Sequence, residues 1–154
     1  MHPTLLEIEN ELKNADQKLI YQFALSCIEE VANNLEEEAA INAFSRFKEI
    51  VMEFGYRPVE ELNRLAEDLR GIAQSHQGSK SIDGTRHAAV SATYALSKAA
   101  EGDALQAAAY AAYSSIYGYG GYAVNDPDSF TEVHQRQLHQ LHRLKSQIEF
   151  GLHQ

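Results

Sequence analysis

Apolar residues recur at steps of three and four along nearly the whole chain, the period of helices that each bury one face. Leu5, Ile8 and Leu12 predict a short first helix, about Pro3 to Lys13, with the proline accommodated in its first turn. Asn14 or Asp16 is placed to cap a second helix running to about Asn33, whose stripe is Ile20, Phe23, Ala24, Cys27, Ile28 and Val31. Asn33-Asn34 and the acids Glu36 to Glu38 interrupt the pattern. A third helix follows from about Glu37 to Phe54, with Ile41, Phe44, Phe47, Val51 and Phe54 inward and Gly55 suited to close it. Pro58 opens a fourth helix at its first position, and Val59, Leu62, Leu65, Leu69 and Ile72 mark the buried face.

The polar stretch Ser75 to Arg86 has two glycines and no period, so it is the longest predicted loop. A fifth helix, about Thr85 to Ala100, turns Ala88, Ala92, Ala95, Leu96 and Ala99 inward. Gly102 ends it and Asp103 caps the next. From there to Asp126 the chain carries no charge and is built mostly of alanine, tyrosine, glycine and serine. A helix without a polar face belongs inside a protein or a membrane. Tyrosines and small residues in place of Leu, Ile and Val, with acidic flanks, argue against the bilayer. The stretch is therefore predicted to be the central helix of a soluble bundle. Its glycines either end the helix near Tyr117 or let it run on to Val124. Asn125-Asp126-Pro127 is a turn with helix-start chemistry, Ser129 to Glu132 has the spacing of a capping box, and a last helix reaches about Phe150. Its apolar side is Phe130, Val133, Leu138, Leu141, Leu144 and Ile148. With no alternating β-branched run, the fold expected is all-α: one domain over residues 1–154, a bundle of six or seven helices around a central Ala/Tyr-rich pair.

Charge narrows the partners. There are 22 acidic against 13 basic residues, a net charge of −9, and most of the surplus lies before Gly78. Nucleic-acid binding needs a basic surface to neutralise phosphates, and anionic membranes are disfavoured for the same reason. A basic protein partner is favoured, although acidic surfaces more often serve solubility. The single cysteine, Cys27, excludes an internal disulfide. It lies on an apolar stripe and reads as a buried structural thiol suited to a reducing compartment. The opening MHPTLLEIENELK lacks the apolar region of a signal peptide, so a cytoplasmic location is expected.

Candidate chemistry is sparse. His139 and His142 are three apart, with His134 more than a turn earlier, but no histidine has a glutamate three residues before it as in di-iron bundles. Solvated histidines and glutamines on an outer face are the expectation, and a metal site on His134, His139 and His142 is the alternative. His87 carries no signal of its own. No nucleophile elbow, dinucleotide fingerprint or phosphate loop occurs. No catalytic, cofactor-binding or metal residues are assigned. Tyr110, Tyr113 and Tyr117 follow helical spacing, with Tyr94 before them and Tyr119 and Tyr122 beyond. Inter-helix packing is their favoured use and a binding cluster the rival, with Tyr117, Tyr119 and Tyr122 expected to be the exposed members. Glu29, Glu30, Glu36, Glu37 and Glu38 read as a solvated helix junction, or else as a recognition patch.

Four segments carry a resemblance: FALSCIEEV (Phe23 to Val31), RPVEELNRLAEDLRG (Arg57 to Gly71), RHAAVSATYALSKAA (Arg86 to Ala100) and ALQAAAYAAYSSIYGYGGYAV (Ala104 to Val124). Together they resemble the Imm5-type family of bacterial immunity proteins, which accompany polymorphic toxins. A fainter similarity is to the DUF416 group of helical bacterial proteins. The tyrosines and glycines of the second Ala-rich helix depart from the pattern, where more alanine and histidine would be expected. The resemblance implies a non-enzymatic cytoplasmic protein that occludes a basic toxin domain. A small metal-dependent helical enzyme and a homo-oligomer joined through its tyrosines are the rival expectations.

Overall fold

The computed structural model describes residues 2–54, 59–75, 85–119 and 126–152. Within them lie seven α-helices and no strand: α1 (Pro3–Leu12), α2 (Gln17–Val31), α3 (Glu38–Phe54), α4 (Val59–Ser75), α5 (Thr85–Glu101), α6 (Ala104–Tyr119) and α7 (Pro127–Leu152). A single 3-10 turn, Ala32–Asn34, extends α2. The predicted ends at Gly55 and Pro58, most of the loop after Ser75, and the glycines after Tyr119 lie outside the described residues.

Local chemistry accounts for the helix ends. Asp16 caps α2, its Oδ1 accepting from the Leu19 N–H at 2.9 Å. Asp103 caps α6 through the Gln106 N–H at 3.1 Å. Gly102 turns the chain between α5 and α6 at φ 85°, the left-handed conformation that costs glycine least. α7 starts at the predicted Asp126-Pro127 helix start, where Asp126 accepts from the Asp128 N–H at 3.0 Å and Pro127 takes the first position, so the capping-box spacing from Ser129 falls inside the helix. Asp126 precedes the proline and has no helical obligation of its own, so it makes the better cap.

α5 and α6 form the central hairpin and share the most extensive contact among the described residues. Their inward faces are alanine: Ala92, Ala95 and Ala99 on one, Ala104, Ala107, Ala108 and Ala111 on the other, all buried. Small side chains let the two backbones approach closely, and Leu96 and Ile116 are the large apolar residues that α5 and α6 bury. α4 covers α5, while α2 packs on α5, α6 and α7. Most of the large residues that fill the core come from α2, α3, α4 and α7, among them Phe23, Ile28, Phe47, Ile50, Leu62, Leu69 and Leu141. α3 is more peripheral, and Ile41, expected inside, is 44% exposed, because Ala40 and Ala43 take the inner face at that end. Cys27 is buried, as expected, and burial pushes its thiol far above the ordinary range.

The hairpin turn yields a first prediction. A Cβ on residue 102 would lie 3.0 Å from the buried Tyr21 hydroxyl, in a backbone conformation that L-residues disfavour. Gly102→Ala is expected to cost about 1–2 kcal/mol in urea unfolding. A loss below about 0.3 kcal/mol would show that the turn relaxes freely.

Candidate functional site: the aromatic face of the central hairpin

α6 is not enclosed all round. Gln106, Tyr110, Tyr113 and Tyr117 are spaced four, three and four apart, so they share one stripe of the helix. That stripe is its open side: Gln106 and Tyr113 are exposed, Tyr113 at 43%, and Tyr110 and Tyr117 are half-buried. α5 runs antiparallel beside it and supplies a matching ring at each end. Tyr94 stacks on Tyr110 with centroids 5.4 Å apart, and exposed His87 stacks on Tyr117 at 5.0 Å. Tyr113 and Tyr117 lie nearly parallel at 6.4 Å. Phe130 of α7 meets Tyr113 edge-on at 5.0 Å, and His134 and His2 continue the row at 6.2 and 5.2 Å. Aromatic contacts of this kind add to area burial, and they hold the rings in place at low entropic cost.

This arrangement corrects part of the expectation. Tyr117 belongs to the face but is half-buried under His87, and among the described tyrosines the exposed one is Tyr113, one turn earlier. Tyr119 is described by its backbone alone, and Tyr122 lies outside the described residues. Tyr94 joins the face as one of the tyrosines the sequence groups together, whereas His87 and Phe130 are additions. The signal for His87 is its seven-residue step to Tyr94, which repeats the step from Tyr110 to Tyr117.

The five glutamates do not form one patch. Glu29 reaches α3 and pairs with Lys48 at 3.0 Å. Glu30 points the other way, into an open groove with Arg136 and His139 of α7. Partial burial of its carboxylate pushes its pKa up, and the Arg136 charge pulls against that. Glu36, Glu37 and Glu38 are exposed at the start of α3. The Asn34 amide just before them donates to Ser114 Oγ at 3.0 Å, and buried Ser114 donates to the Ala88 carbonyl at 2.7 Å. This clasp brings the acids to the same end of the bundle as Tyr113 and Tyr117.

The histidines of α7 divide as well. His139 and His142 are exposed as expected, with His142 3.4 Å from Glu11. His134 is not solvated: it is 3% exposed and bonded through Nδ1 to Gln137 Oε1 at 2.8 Å. Gln137 is itself 1% exposed and donates from Nε2 to the Ala108 carbonyl at 3.0 Å. The three histidines do not converge, and among the described residues no group of three or more His, Cys, Asp or Glu is placed to hold a metal ion.

Burial holds His134 below the usual histidine range; the Gln137 bond opposes this and the nearby His2 charge adds to it. The unfolded chain therefore binds the proton more readily than the folded one. Stability from this residue is complete above about pH 6.5 and declines as pH falls toward the folded value.

No family model, curated protein or solved structure matches this chain. Among the described residues no helix is long and apolar enough to cross a membrane.

Proposed function

We propose that this chain is a protein-interaction module that binds through the aromatic face of the α5–α6 hairpin. The observation that carries the reading is the continuous row His87, Tyr117, Tyr113 and Phe130, in which a partly exposed tyrosine is held by rings on both sides. Rigid, half-covered tyrosines are the kind of anchor on which interface energy concentrates. The chain acts by binding rather than by catalysis. Its partner is a basic protein, drawn in by the net charge of −9 and by the glutamates at the tyrosine end. The resemblance noted in the sequence makes that partner a toxin domain and the protein a bacterial cytoplasmic immunity protein, neutralising by occlusion.

Co-expression with the product of the adjoining reading frame tests this. The expected result is a stable complex and rescued growth. Tyr113→Ala combined with Tyr117→Ala should weaken the complex about 30-fold or more, the effect of losing one true anchor, while the circular dichroism of the free protein stays helical. An unchanged affinity would remove the aromatic face from the interface. Continued cell death without a complex would end the immunity reading.

The same flat face could instead receive a second copy of the chain. Light scattering on wild type and Tyr113→Asp decides that: a dimer that dissociates on substitution supports self-association, and a monomer in both excludes it.

A further inference from the structure

We propose that the first turn of α1 is a proton-released latch, in which His2 and His134 hold α1 against α7 only while both imidazoles are neutral. Hydrogen-bond polarity fixes both tautomers. The Thr4 backbone N–H can only donate, so His2 Nδ1, 3.1 Å away, must accept and cap α1. The proton of His2 is then on Nε2, donated to Thr131 Oγ1 of α7 at 2.9 Å, and that hydroxyl donates onward to the Pro127 carbonyl at 3.3 Å. Gln137 uses its N–H on Ala108, so its Oε1 must accept, and the proton of His134 is on Nδ1.

A second proton has nowhere to go on either ring. On His2 it would sit at Nδ1, facing the Thr4 N–H, and would replace the cap with two opposed donors. It would also place positive charge at the N-terminal end of a helix dipole. On His134 it would sit at Nε2, in a buried site where that atom has no acceptor among the described residues.

The surroundings do not compensate. α6, packed against both α1 and α7, carries no charged side chain from Ala104 to Tyr119. α2 turns Glu30 toward Arg136. On α7, Glu132 pairs with Arg136 at 3.6 Å, and Asp126 caps the helix for Asp128. On α1, Glu11 is taken by His142 and Lys145 at 3.4 and 3.5 Å. Neither ring has a carboxylate within ion-pair distance among the described residues, and the two imidazoles lie with their centroids 5.2 Å apart. Uptake of protons therefore loosens the Thr4 turn from α7 and uncovers His134 beside Phe130, at the edge of the aromatic face.

Hydrogen exchange at the Thr4 and Leu6 amides tests the latch, with the nitrogen-15 shifts of the imidazoles as a second measurement. Between about pH 7.5 and 5.5, the range in which histidine titrates, the opening constant at these amides should rise. The limit is about tenfold per pH unit for each proton bound. At the upper pH the shifts should report Nε2–H for His2 and Nδ1–H for His134. His2→Asn keeps a side-chain cap but cannot titrate, so it should make the rise shallower by one proton. His2→Asn with His134→Asn should abolish it. Opposite tautomers, an opening constant independent of pH, or a rise unchanged in His2→Asn would each overturn the latch. If the double variant fails to fold, the single variant and the tautomers still decide.

Discussion

Phe23→Ala should lower the unfolding free energy by about 3–5 kcal/mol, a large share of the roughly 5–15 kcal/mol available to a domain of this kind. Phe23 is fully buried on α2, where that helix packs against α5, α6 and α7. The cost depends on whether neighbours can collapse into the hole. The buried faces of α5 and α6 are largely alanine, and alanine has no side-chain length with which to reach in. The urea midpoint should fall by roughly 2 M with an unchanged slope, since the same surface is exposed on unfolding. Met52→Ala on the peripheral α3, where Met52 is 68% exposed, should stay within about 0.5 kcal/mol and serves as the control. A loss below about 2 kcal/mol for Phe23→Ala would mean that the central hairpin repacks, and the rigid alanine seam would have to be abandoned.

Gln137→Leu is expected to cost about 2–3 kcal/mol although it exchanges side chains of similar volume at a site 1% exposed. The substitution adds apolar surface to the interior, which by burial alone would stabilise. Against this, it strands the His134 Nδ1–H and removes a donor from the Ala108 carbonyl. An unpaired buried donor costs more than a hydrogen bond contributes, so the loss wins. His134→Phe added to Gln137→Leu removes the stranded donor and should recover about 1 kcal/mol or more relative to the sum of the single substitutions. Additive losses across that cycle, or a Gln137→Leu protein as stable as wild type, would show that the pair is not coupled. The double substitution would also flatten the decline in stability below about pH 6.5 that His134 is expected to cause.

The aromatic face and the latch occupy different ends of one row of rings. The aromatic face needs the hairpin to present Tyr113 in a fixed setting, and the α7 ring Phe130 provides one side of that setting. The latch lies at the far end of the same row, where His134 and His2 follow Phe130. Binding measured at neutral and mildly acidic pH would therefore read both. Loss of the Tyr113 anchor acts at any pH, whereas the latch acts only through its protons.

What could be read from the sequence alone was what each residue states by itself or with its near neighbours. A bundle of six or seven helices, a cap for α2 at Asn14 or Asp16, the cap at Asp103, the turn at Gly102, the alanine-lined interior of α5 and α6 and the buried Cys27 all follow from periodicity, side-chain size and local capping chemistry. The placement of polar and aromatic residues did not follow. Tyr113 and Tyr117 share a stripe in any helix, but only the order of packing around α6 leaves that stripe open. His134 and Gln137 look like solvated residues because a transfer energy assigned to each residue puts them in water. They are buried because the Ala108 carbonyl, 29 positions from Gln137, supplies the missing partner. Likewise Asn34 reaches Ser114 across 80 positions to set the acidic junction beside the tyrosines. Periodicity records the sum of local preferences. The free energy of a buried polar group depends on a partner that another helix brings, and only the tertiary structure decides whether it arrives.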